Sequence, residues 1–385
     1  MNTNTPNTAV ARPTLLYFTT EDWIFCLHRL GLACAARDAG YDVAVVTRVR
    51  DHAKPILDAG LRLIPLEMMR GGMRPWQEFA TLVRLYLIYR RERPQLVHHV
   101  ALKPVIYGSL IAMLTGVPAV VNALTGLGFV FTSQRWLARA LRPPIELAMR
   151  VLLTHRNSRV IFENNDDLET LVRRSTLQRE HARLIRGSGV DINIYTPLPE
   201  PLGVPVVILA ARLLWDKGVG EFAGAARILK ARGVQARFAL VGGPDPENPA
   251  AIAQATLDAW RDEGAVELWG WRNDMLKVFA DCHIVCLPSY REGLPRVLLE
   301  AAACARPVVA TDVEGCREAV MQGRNGFLVP ARDEQALADA LAILIAEPAR
   351  RAAFGAAGRD IVSGELSLAV VIARTFEVYN ELRRA

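Results

Sequence analysis

Glu292 and Glu300 stand eight residues apart in the segment SYREGLPRVLLE, residues 289–300. A short apolar run at 284–287 reads as a strand ending just before it. Pro295 suits a first helical position, which predicts that Gly293 and Leu294 lie at a helix N-terminus. Such an end offers free N–H groups and roughly half a positive charge, a seat for a diphosphate. If 292–300 were all helical, the two carboxylates would be about 12 Å apart, the scale of a nucleotide sugar, so that one can grip the sugar and the other the ribose. A helix dipole contributes only about 0.3–2 kcal/mol, too little to neutralise a departing diphosphate, so cations must come from elsewhere in this half. Arg212 and Lys217, in AARLLWDKG at 210–218, directly follow a predicted strand, where a doubly wound sheet opens onto its ligand. Arginine forks onto two phosphate oxygens and lysine acts as a point charge. Each feature also has an ordinary reading, a solvated helix face for the two glutamates and a surface ion pair for Arg212 and Lys217. Their combination is what points to chemistry.

The elements that must position these residues alternate along the chain. Runs rich in β-branched and aromatic residues at 15–18 and 43–47 flank a helix-rich stretch at 27–39 closed by Gly40, which reads as a β-α-β unit. The alternation continues with helix 76–93, strand 96–100, helix 104–115, and strands 119–122 and 159–162. Gly and Pro then concentrate before a fresh series of strands opens at 206–210. Domains are expected at 1–190 and 206–365, joined by a linker at 191–205, with a C-terminal helix at about 366–385 packing back on the first. The fold class expected is α/β, with two doubly wound, Rossmann-like parallel-sheet domains facing a central cleft.

The second half resembles the nucleotide-binding domain of the GT-B fold retaining glycosyltransferases of family 4, whose mark is a Glu-x7-Glu pair. Glu292 and Glu300 have that spacing, and LPSYREGLPRVLLEAAACARPVVATDVEGCREAV and ARLLWDKG carry the likeness over essentially the whole domain. The resemblance implies that Glu292 addresses the donor sugar, Glu300 the ribose, and Arg212 and Lys217 the diphosphate. It also implies that Gly270-Trp271-Arg272 borders the nucleobase, and that a UDP-sugar is the favoured donor. The first half is similar to the acceptor domain of members that elongate lipid-linked saccharides of bacterial surface polymers, through VHHVALKPVIYGSL, NALTGLGFVFTS, VIFENNDDLETL and GSGVDINIY. A saccharide on a polyprenyl diphosphate is then the expected acceptor. Members commonly carry His-x-His after this strand; here the sequence is Val97-His98-His99-Val100, and strand alternation sends His98 and His99 to opposite faces, one toward the cleft at most.

Other acceptor-side candidates keep two readings each. Gly126 and Gly128 could let the backbone approach a ligand or could form a turn after strand 119–122. Glu21 or Asp22 could orient the acceptor hydroxyl, while Asp22 could equally be a helix N-cap. Arg29 meets either a phosphate or a carboxylate. No covalent nucleophile is evident, and retention in the resembled family is ascribed to front-face attack beside the departing diphosphate. The protein then contributes electrostatics and position. No Asp-x-Asp pair ends a strand, so neither metal nor cofactor is expected.

Bulk properties agree with this reading. Of 385 residues, 51% are hydrophobic and 22% charged, a globular composition. The first residues have no apolar leader, the most hydrophobic stretch is short and broken by Gly and Pro, and six cysteines form no CxxC pair, so a cytoplasmic protein is expected. Before Pro197 lie 25 of the 46 basic and 16 of the 40 acidic residues, net +9, leaving −3 beyond it and +6 overall. Between Phe131 and Val160, Arg135, Arg139, Arg142, Arg150, Arg156 and Arg159 face one acid, Glu146, with apolar residues interleaved. Such a surface suits the anionic inner face of a membrane; the alternative is a packed helix pair with solvated arginines. Rival functions are a nucleotide-sugar 2-epimerase on the same fold and, from another class, a basic nucleic-acid-binding protein. The latter is disfavoured because the arginines are spread and no stacking-aromatic motif occurs. A dinucleotide-dependent dehydrogenase lacks its GxGxxG after the first strand.

Overall fold

A computed structural model of the chain describes residues 12–68, 75–127, 131, 136–245 and 248–384. They form two compact units, residues up to Ile185 together with Ile372 onward, and Arg186–Val371.

The first unit is a seven-stranded parallel sheet in the order β3-β2-β1-β4-β5-β6-β7. Its strands are β1 (Thr14–Glu21), β2 (Asp42–Arg48), β3 (Arg62–Pro65), β4 (Leu96–Val100), β5 (Ala119–Leu124), β6 (Ser158–Phe162) and β7 (Ala182–Leu184). The helices between them are α1 (Asp22–His28), α2 (Leu30–Asp38), α3 (Ala53–Asp58), α4 (Pro75–Glu92), α5 (Leu102–Thr115), α6 (Trp136–Leu153) and α7 (Asn165–Arg173). Leu15, Leu16, Tyr17 and Phe18 of β1 are all fully buried, because helices cover both faces of a parallel sheet and leave no polar side. The helix-rich stretch at 27–39 holds the end of α1 and all of α2, separated at Arg29, whose backbone leaves helical geometry at φ −129°.

The second unit is a six-stranded parallel sheet in the order β10-β9-β8-β11-β12-β13. It contains β8 (Val206–Ala210), β9 (Arg237–Val241), β10 (Glu267–Gly270), β11 (Ile284–Leu287), β12 (Val308–Thr311) and β13 (Gly326–Val329). Its helices are α8 (Val219–Ala231), α9 (Gln254–Asp262), α10 (Met275–Ala280), α11 (Arg296–Ala303), α12 (Glu314–Ala319), α13 (Glu334–Ala346) and α14 (Pro348–Gly364). Alternate residues of β8 feed two cores: Val207 and Leu209 pack with Phe222 and Leu341, Val206 and Ile208 with Leu298 and Val362. The last helix, α15 (Leu368–Arg384), begins in this unit and ends in the first.

In both sheets the strand order reverses once, between β1 and β4 and between β8 and β11. Beyond the carboxyl ends of such strands the flanking loops diverge and leave the crevice where doubly wound sheets bind ligands. The loops so positioned are 211–218 after β8 and 288–295 after β11, and in the first unit the region of Glu21 and His98.

Candidate active site

In the second unit the two loops meet. Gly218 ends the turn after β8 in a left-handed conformation, φ +69°, and a Cβ there would lie 2.1 Å from the Pro288 carbonyl oxygen. Only glycine allows that approach. The Tyr290 N–H donates to the Asp216 carbonyl at 2.9 Å, tying the same loops together. Lys217 Nζ consequently donates to Glu292 Oε1 at 2.5 Å, both side chains being partly buried. Arg212 Nη1 donates to Asp245 Oδ2 at 2.7 Å, in the loop that follows β9. Nearby, the Tyr290 hydroxyl donates to Glu221 Oε1 at 2.6 Å, while Glu221 Oε2 and Ser289 Oγ are buried without a hydrogen-bond partner among the described residues. Buried polar atoms are usually satisfied, so these two stand out beside the loop.

One expectation is corrected here. The helix begins at Arg296, not around Leu294, because Pro295 holds ψ at 110° and acts as the N-cap. Gly293 and Leu294 therefore precede the helix, and the Leu294 side chain is buried in the core, against Gly187. Glu300 lies on α11 but is almost fully buried: Arg296 Nε donates to it at 2.6 Å, and Tyr195 bonds the same carboxylate. Burial raises its pKa, with Arg296 and Tyr195 pulling the other way. After β10, Trp271 is well exposed, whereas Arg272 forks onto Asp274 with two contacts of 2.6 Å, which commits its donors. Asp245, Glu221, Ser289 and Tyr290 were not anticipated; Asp245 has a signal in the Gly-Gly-Pro-Asp turn after β9, the others none outside the fold.

In the first unit both histidines are buried. His99 is fully engaged: Nδ1 is 2.7 Å from Asn122 Oδ1 and Nε2 is 2.9 Å from the Tyr89 hydroxyl. Its ring lies so close to α5 that a Cβ on Gly108 would come within 2.4 Å of Nε2. Removal from water depresses its pKa to about 4. His98 uses Nδ1, 2.6 Å from the Tyr379 hydroxyl of α15, which is also 2.9 Å from the Tyr17 hydroxyl. Its Nε2 has no hydrogen-bond partner among the described residues. Burial and the Arg29 charge hold His98 well below the ordinary histidine value.

Arg29 meets a carboxylate: Nη2 donates to Glu163 Oε1 at 2.8 Å in a buried pair, leaving Nε unpartnered. Asp22 is the first residue of α1, not its N-cap, and its Oδ2 accepts from the Arg50 and His52 N–H groups at 2.7 and 2.9 Å, closing the loop after β2. Glu21 is buried with Arg48 at 3.4 Å, and its Oε2 accepts no hydrogen bond from the described residues. Glu21 Oε2 is in an ion pair with Arg50 Nε at 3.7 Å, and Thr19 Oγ1 is a further buried polar atom on β1 without a hydrogen bond to any described residue. Gly126 follows β5 at φ +140° with open space where a Cβ would be, and Gly128 lies outside the described residues. Of the arginines grouped with α6, Arg142 and Arg150 bond main-chain carbonyls and Arg159, on β6, pairs with Glu381; Arg135 lies outside the described residues. No helix among the described residues is long and apolar enough to cross a membrane.

Two doubly wound parallel-sheet units with ligand loops at their switch points define the GT-B class of glycosyltransferases. Residues 14–164 match the family model of glycosyl transferase 4-like domains and residues 204–347 that of glycosyl transferases group 1, and the chain belongs to this family. It is 28% identical over 330 residues to the N,N'-diacetylbacillosaminyl-diphospho-undecaprenol alpha-1,3-N-acetylgalactosaminyltransferase of Campylobacter jejuni, spanning 82% of this chain and 85% of that one. It is 24% identical over 314 residues to the UDP-Gal:alpha-D-GlcNAc-diphosphoundecaprenol alpha-1,3-galactosyltransferase of Escherichia coli, spanning 78% and 79%. Among solved structures, Anabaena Alr3699/HepE in complex with UDP and glucose shares the fold with a TM-score of 0.75 at 20% identity, over 96% of this chain and 99% of that one.

Proposed function

We propose that this glycosyltransferase moves a hexosyl or N-acetylhexosaminyl group from a UDP-sugar to a saccharide carried on a polyprenyl diphosphate, with retention of configuration and without a metal ion, at the cytoplasmic face of a membrane. The reading rests on one observation: Arg212 and Lys217, in the loop at the second sheet's switch point, are each held by a single carboxylate, Asp245 and Glu292. A diphosphate brings two acceptor groups of greater charge and can draw both cations toward itself, which frees Glu292 to accept from a sugar hydroxyl. Glu300, fixed by Arg296 and Tyr195, takes the ribose, and exposed Trp271 borders the base. The bond from the anomeric carbon to the diphosphate oxygen breaks as the acceptor oxygen bonds to the same face of that carbon, and the freed phosphate oxygen takes the acceptor proton. Arg212 and Lys217 stabilise the charge that develops there. On the acceptor side, His98 Nε2 and Glu21 Oε2, the latter ion-paired with Arg50, are buried atoms that make no hydrogen bond to a described residue and can serve the acceptor. The printed names of the Campylobacter and Escherichia relatives support the lipid acceptor, and the latter supports a UDP donor.

A panel of UDP- and GDP-sugars, each with and without a lipid-diphosphate saccharide, tests this. UDP release is expected only with acceptor, undiminished by a chelator, and the product carries the donor's anomeric configuration. Release without acceptor accompanied by a rearranged sugar would establish an epimerase instead, and a chelator that abolishes turnover would contradict the role given to the two cations.

A further inference from the structure

Helix α4 is apolar on two opposite faces. Leu85 and Tyr89 are buried in the first unit's core. On the other side Trp76 is 85% exposed, Phe79 64%, Val83 42% and Leu87 59%. At 3.6 residues per turn these four fall within an arc of roughly 80°, directly opposite Leu85. Scattered exposed apolar residues are ordinary, but a continuous stripe along about three turns ending in an exposed tryptophan is not. Its borders are cationic. Arg84 and Arg91 lie along one edge and Arg90 near the C-terminal end, and Arg84 forms no ion pair with any described residue. The two acids of the helix are already engaged, Glu78 by Lys103 and Tyr107, Glu92 by Arg62 and Arg91. Beside the stripe, Arg84, Leu87 and Arg91 line an open pocket of about 440 Å³ together with Leu63, Leu66 and Glu67, whose carboxylate is paired with Arg48 at 3.6 Å. Apolar floor and two guanidinium groups match a phosphate headgroup with the start of its acyl chain.

We infer that the outer face of α4 docks on an anionic lipid bilayer, its Trp76–Phe79–Val83–Leu87 stripe entering the headgroup boundary and the Arg84/Arg91 pocket receiving a lipid phosphate. Charge selects this occupant: an apolar stripe rimmed by exposed arginines, of which Arg84 and Arg90 form no ion pair with a described residue while Arg91 shares Glu92 with Arg62, complements an anionic interface in the basic half of the chain. The choice of a bilayer rests on the lipid-linked acceptor proposed above. The sequence directed attention to α6 by its arginine density, but Arg142 and Arg150 there are spent on main-chain carbonyls, whereas α4 keeps its arginines beside apolar surface.

The test is flotation of the full chain with phosphatidylcholine vesicles made with and without phosphatidylglycerol. Binding is expected with phosphatidylglycerol and is lost on the order of 100-fold by the double variant Trp76→Ser, Phe79→Ser. Arg84→Gln with Arg91→Gln is expected to weaken it about 30-fold and to flatten its salt dependence. These positions are exposed, so all variants should keep the wild-type unfolding midpoint and wild-type transfer to a water-soluble, short-chain acceptor. Absence of binding to phosphatidylglycerol vesicles, or equal binding by wild type and variants, would overturn the inference. So would a self-association that Trp76→Ser, Phe79→Ser abolishes while vesicle binding persists. Wild-type failure on the short-chain acceptor with normal vesicle binding would instead strike the acceptor reading and leave the docking face standing.

Discussion

In the Arg212→Ala variant, turnover is expected to fall about 100- to 1,000-fold while the unfolding midpoint stays with the wild type. The size follows from what a positioned charge contributes when aimed at an oxygen that gains charge in the transition state. The selectivity follows from the partner. Arg212 is 40% exposed and shares its ion pair only with Asp245, so the pair contributes at most about 1 kcal/mol to stability. Lys217 is a less clean probe, because its loss leaves the more buried Glu292 carboxylate unpaired and mixes folding with chemistry. Steady-state kinetics with saturating donor, beside a thermal melt, separates the two effects. An Arg212→Ala enzyme within a few-fold of wild type would remove this residue from the reaction.

Acidification should weaken the first unit through His99. In the fold its Nδ1–H donates to Asn122 Oδ1, which also accepts from the Ser109 hydroxyl, and its Nε2 accepts from Tyr89. A second proton on Nε2 would force the Tyr89 hydroxyl to turn from donor to acceptor and would strand a charge away from water. The folded pKa is therefore about 4 against about 6.5 in an unfolded chain. Between those values the unfolded state binds the proton and the folded state does not, so stability falls as pH falls through this window. The share from His99 between pH 7 and pH 5 is about 2 kcal/mol. His98, also depressed, acts in the same direction, whereas the raised carboxyls of Glu163 and Glu300 act in the opposite one. The comparison that isolates His99 is the wild type against His99→Gln, each unfolded in denaturant at pH 7 and pH 5. The wild type should lose about 2 kcal/mol more than the variant. Equal losses would show that His99 takes up its proton in the folded state.

Much of the architecture was legible because parallel strands covered on both faces are nearly continuous apolar runs, as β8 and β11 are throughout and β1 is from Leu15 to Phe18. The loop after β8 and the glutamate pair were legible for the same reason, since they follow such strands directly. Contacts between distant positions were not. Nothing local to Arg29 reveals Glu163, 134 residues on, yet that partner holds the arginine in a buried pair. His98 and Tyr379 are 281 positions apart, so the residue that fixes one ring nitrogen and leaves the other unused could not be named from the strand. Pro295 was readable as a helix-start signal, but whether it serves as cap or first helical residue depends on ψ, and 110° decides for the cap. The outer stripe of α4 has a helical period that the sequence displays, while its exposure depends on which other elements cover it.

The central claim is that Arg212 and Lys217 bind the diphosphate of the donor, and a binding titration tests it without any acceptor. UDP and uridine are titrated into the wild type and into Arg212→Ala in the presence of a chelator. The wild type should hold UDP on the order of 100-fold more tightly than uridine, with most of that ratio gone in the variant and uridine binding unchanged. An undiminished preference for UDP in Arg212→Ala, or no preference in the wild type until a divalent ion is supplied, would contradict the account.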